Sequence, residues 1–98
     1  MQSEKVYLSL RAIDEFRNLH PEDAKTVLGV LSSLGDDDYR SKNKYDLYYN
    51  DEFSNKPVWA IVEGRVFVSF LELEDGTVRV SHLSLISKFR IPYRPQWG

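Results

Sequence analysis

The side chains best suited to chemistry in this sequence are cations and proton carriers, and they gather in its second half. Arg65 heads a β-rich run, and a guanidinium there could grip a phosphate through paired N–H groups or stabilise charge developing on it. His82 could hand a proton to or from a reacting oxygen. The segment Lys88-Phe89-Arg90-Ile91-Pro92-Tyr93-Arg94-Pro95-Gln96-Trp97 interleaves cations with rings, and such a pattern can track a nucleic-acid backbone while stacking on its bases. Each feature has a plainer alternative. Arg65 could pair with Glu63 or Asp46, and His82 could be a neutral filler of a half-exposed sheet. Phe89, Tyr93 and Trp97 could pack across the sheet or into a dimer mate, because two prolines forbid a regular helix and favour an extended strap.

Other chemistries lack their residues. The chain has no cysteine, which removes disulfides, thiol catalysis and cysteine zinc sites, and His20 and His82 stand too far apart to make a convincing metal pair. There is no glycine-rich phosphate loop, no paired-carboxylate motif and no nucleophile elbow, so the sequence calls for no cofactor and no metal. No apolar run approaches the roughly 18 residues of a membrane span, and the start lacks the apolar core of a signal peptide. The expected address is the cytoplasm, with no membrane partner. The net charge of −2 argues against non-specific coating of nucleic acid. Acids dominate the first 38 residues and bases the rest, so an anionic partner should meet the second half.

The elements that must position these groups follow from periodicity. Ninety-eight residues with 42% hydrophobic content make a single domain spanning 1–98. Lys5 to Leu10 alternates as a short strand. Ile13, Phe16 and Leu19 give a helical stripe that His20-Pro21 breaks. Pro21, Glu22 and Asp23 then suit the first turn of a second helix, with Ala24, Val27, Leu28, Leu31 and Leu34 as its core face and Gly35 as its stop. Asp36 to Asn55 shows no sustained period and reads as a long loop with a brief strand at Asp46 to Tyr49. Val58 to Val62, Arg65 to Leu73 and Thr77 to Ile86 are three strands joined by turns at Glu63-Gly64 and Asp75-Gly76. The expected class is α+β, an N-terminal strand and helical hairpin packed on one face of an antiparallel sheet.

Two-residue turns would fix the register. Counting back from Asp75-Gly76 sets Glu72 opposite Arg79, Phe70 opposite Ser81, Val68 opposite Leu83 and Val66 opposite Leu85. Counting back from Glu63-Gly64 sets Ile61 opposite Val66 and Trp59 opposite Val68. Trp59, Ile61, Val66, Val68, Phe70, Leu83 and Leu85 then form the core face under the helices. The other face would carry a polar cluster of Arg65, Ser69, His82 and Ser84, with Leu71, Leu73, Val78 and Val80 as an apolar patch that a lone domain should not leave bare.

The element order, with Glu63-Gly64-Arg65-Val66-Phe67-Val68-Ser69-Phe70 and Asp75-Gly76-Thr77-Val78-Arg79-Val80-Ser81-His82-Leu83, resembles the RelE/ParE superfamily of bacterial toxins, over most of the chain. In that family a strand and a helical hairpin precede an antiparallel sheet, and a glycine followed by an arginine opens a central strand. The resemblance implies a toxin of a type II toxin–antitoxin pair, neutralised by a cognate antitoxin. RelE-like members cut mRNA on the ribosome, and ParE-like members inhibit DNA gyrase without cutting. By the same resemblance, Arg65 is similar to the strand arginine that contacts the scissile phosphate. Arg90 and Tyr93 resemble the C-terminal arginine and tyrosine of such sites, and His82 follows a position where some members hold a histidine. Lys42 and Lys44 lie where RelE-like enzymes present basic residues, and Lys88 and Arg94 would join them in holding RNA. The gathering of Arg65, Ser69, His82 and Ser84 on one face favours a ribosome-dependent mRNA endonuclease. The acidic net charge keeps a gyrase inhibitor, or a member with another protein target, beside it. A homo-oligomer is compatible with either.

Overall fold

The computed structural model describes residues 5–86. Among these residues the fold is α+β, with three helices and a five-stranded mixed sheet. Strand β1 (Val6–Leu8) pairs parallel with β5 (Val78–Leu85). The remaining strands, β2 (Tyr45–Asn50), β3 (Pro57–Glu63) and β4 (Val66–Glu72), complete the order β1-β5-β4-β3-β2 with antiparallel pairings. Between β1 and β2 run α1 (Leu10–Arg17), α2 (Pro21–Leu34) and α3 (Asp37–Asn43).

Local chemistry sets the helix ends. The Ser9 hydroxyl accepts from the Ala12 amide at 3.0 Å, capping α1, and donates to the Ser81 carbonyl at 3.1 Å, which ties the cap to β5. α2 starts on Pro21 with Glu22 and Asp23 in its first turn, and Gly35 is its C-cap. Its buried stripe is Asp23, Val27, Val30 and Leu34, rotated from the expected face so that Leu28 points to solvent. A carboxylate at Asp23 displaces the expected apolar edge because it has a cation to meet.

The segment expected to be a long loop holds α3 and β2. Three consecutive aspartates read as loop, yet Asp36 caps α3 by accepting from the Asp38 amide, and Asp37 and Asp38 face the positive helix end. Strand β2 is irregular between Asp46 and Asn50, where Tyr48 takes φ 63° and its amide donates to the Asp46 carboxylate. A distortion of this kind on an outer strand hinders pairing with another chain.

The register departs from expectation at both turns. Glu63 pairs with Val66, so the turn is Gly64-Arg65, and Gly64 at φ 59° fills the first turn position that a tight hairpin reserves for glycine. Ile61 therefore faces Val68 and Trp59 faces Phe70, a shift of two that leaves the faces unchanged. The β4–β5 connection is longer by one residue. Leu73 donates to Thr77, Gly76 donates back to Leu73, and Gly76 takes φ 88°. Phe70 then faces Val80, Leu71 faces Arg79 and Glu72 faces Val78. An extra residue, Ser81, is absorbed before Ser69 meets His82, and from there Val68–Leu83 and Val66–Leu85 stand as counted. The offsets at turn and bulge cancel in the lower half of the hairpin.

The core face holds as expected, and it gains Val78 and Val80. They pack with Val6, Ala12, Val27, Val30, Leu34, Ile61, Val66, Val68, Phe70 and Leu83, while Trp59 and Leu85 lie partly buried against them. The bulge is the reason, since it moves Val78 and Val80 off the other face. The expected Leu71, Leu73, Val78 and Val80 patch is therefore corrected. A second buried cluster takes its place, formed by Leu47, Val58, Ala60, Phe67 and Leu71 with Val62 and Leu73 against it.

Candidate functional site

Arg65 does not project from a strand on the face opposite the helices. As the second turn residue it reaches toward the helical layer, where Nε and a terminal nitrogen hold the two oxygens of Asp23 at 3.0 and 2.8 Å. Asp23 is buried in the first turn of α2, while the Arg65 side chain remains 62% exposed. The Arg65 hydrogen bond holds the Asp23 carboxyl below its ordinary range against the opposing effect of burial, with the Arg65 and His20 charges adding to the lowering. A planar fork on a carboxylate is the geometry that could also take a phosphate, and here a carboxylate of the same chain fills it. The partners read from sequence, Glu63 and Asp46, are not the ones used.

His82 lies across from Ser69, its ring edge-on to Phe67 at 6.3 Å between centroids. Its Nδ1 is 2.8 Å from an oxygen of Glu15 on α1, and the other Glu15 oxygen accepts the Leu83 amide at 2.7 Å. An ionised carboxylate offers only lone pairs, so Nδ1 is the donor in this contact. The position has a structural cause. β1 pairs with β5 only through Val80, and beyond that point Glu15 replaces the missing strand by taking a ladder N–H. Arg11 shares the same Glu15 oxygen at 3.1 Å.

These placements separate the expected cluster. Ile86 donates to the Arg65 carbonyl, and His82 stands four residues back along β5, roughly 13 Å away at strand rise. Arg65 leans to the helices, and His82 leans to the β5 edge. Ser69 is buried, with its hydroxyl 3.2 Å from that of Ser81, and Ser84 is half-buried. Ser69, His82 and Ser84 thus remain near neighbours on the sheet, and Arg65 is not among them.

The lysines of the α3 region differ in use. Lys44 holds both oxygens of Glu72, at 2.9 and 3.0 Å, and lies 4.0 Å over the Trp59 ring. Glu72 also takes Arg40 Nε at 2.8 Å, and Arg40 is buried with further bonds to the Leu34 carbonyl and Asp37. Burial would raise the Glu72 carboxyl, but the Lys44 and Arg40 hydrogen bonds and charges outweigh it and hold the group low. The expected Glu72–Arg79 pair is replaced by this network, because the turn offset puts Val78 opposite Glu72. Lys42 is exposed on α3 and makes no ion pair with another described residue. Lys88, Arg90, Tyr93 and Arg94 lie outside the described residues, as does the aromatic strap.

Sequence reasoning missed Asp23 and Glu15 as partners. Asp23 suits the first turn of α2 by its charge, and Glu15 falls outside the helical stripe of Ile13, Phe16 and Leu19. Only the fold brings them to Arg65 and His82. No cluster of His, Cys, Asp and Glu able to hold a metal occurs among the described residues, and no described helix is long and apolar enough to cross a membrane. No protein family, curated protein or solved structure matches the chain.

Proposed function

We propose that this chain is the toxin of a type II toxin–antitoxin pair of the RelE/ParE kind, and that it acts by binding a protein target in the ParE-like manner. The toxin reading is supported by the order of elements. A strand, a helical pair and then an antiparallel run of strands is the arrangement the resemblance implies, and the Gly64-Arg65 pair forms the turn that leads into the central strand β4. The choice between inhibitor and nuclease rests on one observation, the bidentate capture of Arg65 by Asp23. That pair removes the reason for grouping Arg65 with His82, and a phosphate would have to compete with a carboxylate already in the fork. Binding a protein requires no such cluster, and the net charge of −2 disfavours a close approach to ribosomal RNA.

The nuclease is the second reading, favoured by the exposure of the Arg65 side chain and by the oriented His82 ring. In that case the RNA 2′-hydroxyl, giving up its proton to His82 or Tyr93, attacks the adjacent phosphate, and the bond from phosphorus to the 5′-oxygen breaks. A 2′,3′-cyclic phosphate and a 5′-hydroxyl that takes up a proton result, with Arg65 stabilising the phosphate charge and Arg90 or a loop lysine assisting. Growth of cells expressing the chain alone, and together with the neighbouring reading frame, tests the toxin reading. Arrest by the chain alone, relieved by a co-purifying neighbour, is expected. Equal growth with no co-purifying partner would remove it.

A further inference from the structure

Exposed rings concentrate on one hairpin. Tyr45, Tyr48 and Tyr49 on β2 and Phe53 in the connection to β3 are 59%, 78%, 57% and 93% exposed, and Tyr7, on the opposite edge strand, is the other exposed ring among the described residues. Rings in such a group are enriched at interfaces. Phe53 is held outward by its own backbone. The Asp51 carboxylate accepts the Phe53 amide at 3.1 Å, the Ser54 amide at 2.8 Å and the Ser54 hydroxyl at 3.0 Å. The Asp51 amide donates to the Lys56 carbonyl and its carbonyl accepts the Asn55 amide, both at 2.8 Å. A ring carried on a loop so closed has little freedom left to lose on contact.

Carboxylates surround these rings. The hairpin shares its end of the sheet with the β4–β5 turn, since Lys56 Nζ meets Glu74 at 3.3 Å. Asp46, Asp51, Glu52, Glu74 and Asp75 are the acids of the two connections and of β2. The nearby cations are already engaged. Lys56 is taken by Glu74, and Lys44, stacked on the Trp59 ring opposite Asp46, is taken by Glu72. The Ser54 and Phe53 hydrogen bonds hold the Asp51 carboxyl below its ordinary range against partial burial, and the Arg79 charge adds to the lowering.

We propose that this hairpin surface receives a protein segment rich in arginine or lysine. A guanidinium stacks on a ring while its N–H groups reach a carboxylate, and a lysine stem lies along a ring in the same way, so one side chain uses both features. Nucleic acid could stack on the rings, but it would bring its phosphates against the carboxylates. An apolar segment would use the rings and leave the carboxylates to lose water unpaired. The inference goes beyond the toxin reading and does not depend on it.

The isotope-labelled full chain is titrated with a peptide of alternating arginine and glycine, with a glutamate–glycine peptide of equal length, and with oligothymidine. The arginine peptide should shift the amide signals of Tyr49, Phe53 and Ser54 and leave those of Leu28 and of Asp36–Asp38, a second acidic run on the helical side, in place. Phe53→Ser with Tyr49→Ser keeps every charge and should weaken that binding about fivefold or more, as the loss of two ring contacts requires. Retained dispersion of the amide spectrum shows that the double variant folds. Phe53→Ser alone replaces it otherwise, with a loss of about twofold or more expected. Equal shifts at Asp36–Asp38, or full-strength binding by the ring variants, would mean that charge alone attracts the peptide and would overturn the proposal. Failure of the arginine peptide to bind, or tighter binding of the glutamate peptide or of oligothymidine, would overturn it as well.

Discussion

Replacing Phe67 with alanine asks whether the second face of the sheet is as much a core as the first. Phe67 is 2% exposed and Phe70, on the opposite face of the same strand, is 0% exposed. Truncating a phenylalanine so enclosed costs about 3–5 kcal/mol, from lost transfer energy and from the cavity left behind. Against a total of about 5–15 kcal/mol for a domain, that is a large fraction. With a urea slope of about 1.5 kcal/mol per molar, the unfolding midpoint should fall by about 2–3 M. Phe70→Ala should shift it by a similar amount, and Phe53→Ala, at a side chain 93% exposed, should cost less than about 0.5 kcal/mol. Urea titrations of the three variants followed by circular dichroism make the comparison. If Phe67→Ala resembles Phe53→Ala while Phe70→Ala is severe, the two-faced core is wrong.

Gly64→Ala forces a side chain into φ 59° with open space around it, so a loss of about 1 kcal/mol in the same titration, due to backbone strain alone, is expected. Glu72→Gln removes the charge shared by buried Arg40 and by Lys44, and should cost about 1–3 kcal/mol, a loss that Arg40→Met made together with it should partly recover. Asp23 and Glu72 have folded-state carboxyls held below their ordinary range, so each adds stability that is fully present above the unfolded value of about 4 and is lost as pH falls through the folded one. Unfolding midpoints across that acid range should therefore decline, and Arg65→Ala should make the decline shallower. A parallel decline in parent and variant would contradict the Asp23 pairing.

The sequence made the core face legible because alternation and helical spacing depend only on local order. Trp59, Ile61, Val66, Val68, Phe70, Leu83 and Leu85 fall where the pattern puts them, because a turn displaced by one residue shifts the register by two and preserves their side of the sheet. Pro21 and Gly35 mark the ends of α2 through their own backbone chemistry. The bulge at Ser81 was not legible. No glycine marks it, and its effect, moving Val78 and Val80 to the helical layer, depends on a turn one residue longer than Asp75-Gly76 implies. The candidate site was legible as residue types and not as partners. Asp23 lies 42 positions from Arg65 and Glu15 lies 67 from His82, and no local pattern joins residues that distant.

The claim that the chain binds its target and does not cut RNA is tested most directly by presenting the purified protein to a translating extract and to a gyrase supercoiling reaction in parallel. The account predicts intact mRNA at every concentration, with supercoiling blocked. It predicts the same intact mRNA for a folded Arg65→Ala variant. Cleavage by the parent, reduced about a hundredfold or more in Arg65→Ala as the loss of one charge-stabilising donor would require, would contradict it and assign Arg65 to catalysis.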